Sequence, residues 1–160
     1  MSSVLCITGM HRSGTSLTAL VAKRDSVFNR WGWKEPRTVL FLREWKRLIP
    51  HLRVLIVWRP CAVVTDSLSA RARDAAQPYY SVTADEAGRI WCACNSAVCA
   101  FARDYPDDVL VVPISVLIRY DDAICADINR RWAIGLEYTP MRGVHHKTLL
   151  NRRATSRPAH

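Results

Sequence analysis

The sequence predicts an α/β domain, a small parallel sheet covered by helices. Three observations carry that expectation. Short apolar runs at 4–8, 53–58 (RVLIVW) and 109–113 lack the alternation of a half-exposed strand, as fits strands buried on both faces. Stretches of helical periodicity separate these runs, and such alternation builds parallel sheets. The first run also passes directly into a glycine-containing loop that opens a helical pattern.

In chain order, Val4 to Thr8 is the first strand, closed by Gly9. A helix is expected over 15–23, with Leu17, Leu20 and Val21 on one face. Residues 24–37, rich in charge and tryptophan, read as irregular. Thr38 can cap a helix reaching about Ile49, with Leu40, Phe41, Trp45, Leu48 and Ile49 as its apolar face. The second strand stops at Arg59-Pro60, and a helix follows over about 61–73. Thr83 and Glu86 have the spacing of a capping box. Behind them Ala87, Ile90, Trp91, Cys94, Ala97, Val98, Phe101, Ala102 and Tyr105 recur at helical spacing and predict a long core-facing helix. Asp107-Asp108 turns the chain into the third strand, and a last helix is expected over about 121–134. Right-handed crossovers then bring the strand ends, and any ligand, to one edge.

At 160 residues the chain fits one domain (1–140) with a basic C-terminal tail (141–160). No apolar run is long enough to cross a bilayer, so no membrane partner is expected. The start has no basic n-region and reads as a strand, which points to a cytoplasmic chain with reduced cysteines. Cys92, Cys94 and Cys99 fall inside a helical pattern and read as buried helix cysteines; the adjacent pair His145-His146 reads as exposed tail. The net charge of +9 predicts anionic partners. Arg142, Lys147, Arg152, Arg153 and Arg157 follow the last acid, Glu137, and a solvated tail is the favoured reading of them.

The segment Gly9-Met10-His11-Arg12-Ser13-Gly14-Thr15-Ser16 carries most of the chemistry. Glycines there let successive N–H groups face a phosphate at a helix N-terminus. The spacing is G-x-x-x-x-G, as in a Walker A loop, but Thr15 stands where that motif demands Lys. The positive charge lies instead at Arg12, which argues against ordinary ATP chemistry.

RSGTS after an apolar strand resembles the 5′-phosphosulfate loop of sulfotransferases that use 3′-phosphoadenosine 5′-phosphosulfate (PAPS). Two further stretches strengthen the likeness. Arg59 ends the second strand and Ser67 follows eight residues later, as do the Arg and Ser that bind the 3′-phosphate in that family. The family usually reads R-x-P, whereas Pro60 follows Arg59 directly. Trp31-Gly32-Trp33-Lys34-Glu35-Pro36-Arg37 resembles the W-x-W-K-[DE]-P-R stretch of bacterial members, and weaker likeness runs through Trp91 and Asn95. The resemblance implies a P-loop NTPase-like three-layer fold with three secure strands, the first of them central between 53–58 and 109–113. It implies a metal-free transfer of a sulfuryl group from PAPS to a hydroxyl or amine. Gly9, His11, Arg12, Ser13, Gly14, Thr15 and Ser16 would hold the 5′-phosphosulfate. Arg59 and Ser67 would hold the 3′-phosphate. Lys34, with Arg12, would stabilise the charge of the departing phosphate or the sulfonate oxygens.

Family members carry a much longer segment between the loop helix and the K-[DE]-P stretch, supplying acceptor contacts, a strand and often the catalytic base. Here 23–30 is all that remains. His11, Asp25, Glu35 and Glu44 are nearby, and none matches a family base by motif. A shallow acceptor pocket and an exposed sheet edge favouring a homodimer are therefore expected. Two other readings stay open, a non-catalytic remnant that binds PAPS or its product, and, with less support, a nucleic-acid binder.

Overall fold

The computed structural model describes residues 4–10, 32–72, 82–138 and 140. The expected helix over 15–23 and the tail lie outside the described residues. Among these residues are four strands: β1 Val4–Thr8, β2 Gly32–Lys34, β3 Leu52–Trp58 and β4 Val109–Pro113. They pair in the order β2-β1-β3-β4, every pair parallel.

The run β1, VLCIT, is buried at all five positions, which explains its unbroken apolar pattern. Its side chains alternate between two cores. Val4 and Cys6 join Leu52, Val54 and Ile56 of β3 on one face. Leu5 and Ile7 join Leu55 and Val57 on the other. Helices α1 (Leu42–Leu48), α2 (Cys61–Ala72) and α3 (Ala84–Asp104) cover the first face, through Leu42, Val64, Leu68, Cys94, Val98 and Phe101. The second is covered by α4 (Ile114–Arg119) and α5 (Asp121–Trp132), through Ile114, Leu117, Ile128 and Trp132. The result is a three-layer α/β arrangement. Each fully buried Leu, Ile or Phe contributes about 1.5–3 kcal/mol to holding the layers together.

The three-strand expectation falls short, because Gly32–Lys34 adds a strand where 24–37 reads as irregular. The expected strand order is also corrected: β1 lies between β2 and β3, and β4 pairs with β3. Three residues of mixed chemistry carry no strand pattern. What admits them is Gly32, where a Cβ would stand 2.2 Å from the Leu5 carbonyl oxygen.

Thr38 does not cap a helix. A 3-10 turn, Pro36–Phe41, comes first, and the Glu35 carboxylate caps it by accepting the Arg37 N–H at 3.1 Å. Thr38 instead accepts the Trp33 indole N–H at 3.0 Å. With three residues per turn in that segment, the buried face rotates. Val39, Leu42 and Lys46 turn inward, leaving Leu40 50%, Phe41 55% and Leu48 74% exposed.

The capping box at α3 matches its expectation. Thr83 Oγ1 accepts the Glu86 N–H at 3.2 Å, and Glu86 Oε2 accepts the Thr83 N–H at 2.8 Å. The Thr83 N–H and hydroxyl, both donating to the Glu86 carboxylate, hold that group below its usual range. Along α3, Ile90 is exposed, and of the three cysteines only Cys94 is buried. Cys92 and Cys99 lie on the outer side, where a small residue satisfies the helix without facing the core. The expected last helix is α5, starting at Asp121, and a further helix that the sequence reading did not include, α4, precedes it. Helix α5 ends at Trp132, with Ala133 left-handed (φ 50°), earlier than the expected 134.

Gly32→Ala is expected to force β2 off β1 and to destabilise the chain by about 1–3 kcal/mol, as overpacking does. Urea unfolding checks it, and an unchanged midpoint would show that the β1–β2 approach is not tight.

Candidate functional site

In an all-parallel sheet every carboxyl end lies on one edge. Register places Ile7 beside Lys34 and Thr8 beside Ile56. Gly9, Lys34-Glu35 and Arg59 therefore follow their strands at the same edge. Gly9 has φ 145°, a conformation that side chains rarely adopt, so glycine is required where β1 leaves the sheet. Met10 then packs into the core.

The buried Thr8 hydroxyl donates to the Glu35 carbonyl at 2.9 Å, with the Pro36 carbonyl at 3.3 Å. It ties the end of β1 to the turn after β2, beside the point where Gly9 begins the loop.

Arg59 is half-buried between the end of β3 and the start of α2. Its carbonyl accepts the Trp91 indole N–H at 3.0 Å, and the Asn95 amide donates to the Trp91 carbonyl at 2.8 Å. The rings of Trp58 and Trp91 meet edge-on, centroids 6.4 Å apart. Gly9, Met10, Trp58, Arg59, Trp91 and Asn95 line one cleft, whose apolar wall includes Val39, Ile56, Val64 and Val98. Its volume is about 10 Å³, room for a single water. A nucleotide would have to lie across its mouth.

Ser67 is half-buried on α2, one turn beyond the buried Val64 and roughly 9 Å of helical rise from Cys61. It does not line the cleft that holds Arg59 and Gly9. Lys34 shares a sheet face with Ile7, the face covered by α4 and α5, whereas the cleft opens on the opposite face. The edge thus brings Gly9 and Arg59 into one cleft and holds Lys34 across the sheet from it. His11, Arg12, Ser13, Gly14, Thr15 and Ser16 lie outside the described residues, as do Asp25 and His145-His146. Glu35 is engaged by Arg37 through its N–H and guanidinium, and Glu44 is exposed on α1.

Two other groups of polar or nucleophilic side chains have structural roles. At the opposite edge, Lys46 pairs with Asp108 at 2.6 Å and donates to the Pro50 and Leu52 carbonyls, while Arg53 also pairs with Asp108. Burial, reinforced by Arg53, lowers the Lys46 pKa. The cluster fastens the start of β3 to the start of β4, away from the cleft. Burial pushes the Cys6 thiol up to about 12, which leaves it inert as a nucleophile. Among the described residues no group of three His, Cys, Asp or Glu side chains could hold a metal.

Sequence reading missed Thr8, whose hydroxyl gives no motif. It also missed the Trp58–Trp91 pair, although Trp91 and Asn95 at i, i+4 mark one side of a helix.

Thr8→Val, which keeps the shape and removes the donor, is expected to cost about 1 kcal/mol in a urea titration. No loss would mean that the turn after β2 is held by packing alone.

No protein-family model and no curated protein matches this chain.

Proposed function

We propose that the chain binds PAPS across the carboxyl edge of its sheet and transfers the sulfuryl group to a hydroxyl or amine acceptor. The observation that carries this reading is the shared cleft, with Gly9, the first residue of the RSGTS-bearing loop, and Arg59 at the end of the neighbouring parallel strand. Two anion-binding elements on adjacent strand ends suit a nucleotide carrying phosphate at both 5′ and 3′ positions. The fold is then P-loop NTPase-like, with phosphate chemistry carried by Arg12 in place of the missing Lys.

In this reading Arg12 and the N–H groups of residues 13–16 hold the 5′-phosphosulfate. Arg59, with Ser67 by the family likeness, takes the 3′-phosphate, and a charge-assisted arginine contact is worth roughly 1.5–3 kcal/mol. The bond between sulfur and the bridging phosphate oxygen breaks as the acceptor oxygen or nitrogen bonds to sulfur; the leaving group departs as 3′-phosphoadenosine 5′-phosphate and the acceptor's proton passes to solvent. Lys34 offsets charge on the leaving phosphate; its place on the far face of the sheet requires the phosphosulfate to sit over the end of β1.

A second reading, binding without transfer, is favoured by the two base candidates among the described residues: Glu35 is committed to Arg37 and Glu44 is exposed. Sulfation of any acceptor in a panel of phenols, sugars and amines would remove it.

Calorimetric titration with 3′-phosphoadenosine 5′-phosphate (PAP), AMP and ATP tests the binding. PAP is expected to bind more tightly than AMP, and Arg59→Ala to weaken PAP about tenfold or more while leaving AMP nearly unchanged. Equal losses for both ligands would mean that the 3′-phosphate is misplaced, and a preference for ATP would overturn the proposal.

A further inference from the structure

Arg59 and Pro60 form the two-residue link between β3, which ends at Trp58, and α2, which begins at Cys61. Pro60 supplies no N–H and restricts the residue before it to extended conformations. The Arg59 carbonyl is taken by a distant group, the Trp91 indole N–H on α3. That indole is itself held. Its ring packs edge-on against Trp58, the residue before Arg59, and its main-chain carbonyl receives the Asn95 amide. The peptide plane between Arg59 and Pro60 is thus fixed from the strand, from the proline ring and from α3.

We infer that Trp91 is the positioning residue of the Arg59 anion site. It fixes, through the Arg59 carbonyl, the direction in which the arginine leaves the backbone at the lip of the cleft. The inference rests on the reading of Arg59 given under Proposed function. Its physical basis is preorganisation: a guanidinium recognises phosphate through a rigid fork, and a backbone already locked leaves fewer torsions to order on binding.

Trp91→Phe in the full chain keeps an aromatic ring against Trp58 and removes the donor. PAP affinity, by calorimetry, is expected to fall about fivefold, the loss of one neutral hydrogen bond, while AMP affinity stays unchanged. The ¹⁵N-detected Nε–Hε resonance of Arg59 is expected to move towards that of a freely rotating arginine. In an Arg59→Ala background the same change should weaken PAP no further. Equal losses for PAP and AMP, or an unmoved Arg59 resonance, would assign Trp91 to packing alone and overturn the inference. If the unmutated chain ignores PAP, the proposed function fails, and the Arg59 resonance still decides the positioning role. Should Trp91→Phe unfold, Asn95→Ala, which releases the bond to the Trp91 carbonyl and also trims the cleft wall, is read by the Arg59 resonance alone, with a smaller shift expected and no shift overturning the inference.

Discussion

The pairing of β1 with β3 is the constraint on which the molecule depends. Five consecutive residues of each strand are in parallel register, from Val4 beside Leu52 to Thr8 beside Ile56. Nearly every side chain in that stretch is buried, on both faces. A parallel pair cannot be closed by a tight turn, so the chain must cross over the sheet between strands. Among the described residues the crossovers carry α1, α2 and α3, which bury one face, while α4 and α5, after β4, bury the other. The same parallel sense gathers the strand ends into one edge, so layering and the position of the cleft are linked.

The two ends of the sheet serve different purposes. At the amino end, Lys46, Arg53 and Asp108 form an ion cluster whose polar atoms are largely spent on one another and on main-chain carbonyls. At the carboxyl end the backbone is shaped by groups that act on it directly: Gly9 through its φ, Thr8 through its hydroxyl, Trp91 through its indole. Such backbone control suits an edge at which side chains are to be presented to a ligand.

Much of the fold was legible in the sequence, because its signals are local and strong. The runs at 53–58 and 109–113 became strands within one residue of expectation, and Thr83 with Glu86 formed a capping box. β2 was not legible, since three residues beginning with glycine show no strand pattern and are recruited by a close approach to Leu5. The strand order differs from the one the family resemblance implies, because β2 fills the place beside β1. The face of α1 was lost for another reason: a 3-10 turn ahead of it shifts the periodicity, and Lys46 is buried by partners distant in sequence. Of the candidate site, the sequence singled out Gly9 and Arg59, which share a cleft. It could not reveal that Lys34 lies across the sheet from that cleft, a property of register alone.

A nucleotide bearing a 3′-phosphate is proposed to bind at the carboxyl edge, and amide chemical shifts of the ¹⁵N-labelled full chain during addition of PAP decide it. The largest shifts are expected at Gly9, Met10 and Arg59, with the indole N–H of Trp91 moving alongside them and Asp108 at the opposite edge unmoved. Shifts centred on the amino edge, or spread over the basic surface without touching Gly9 and Arg59, would contradict it.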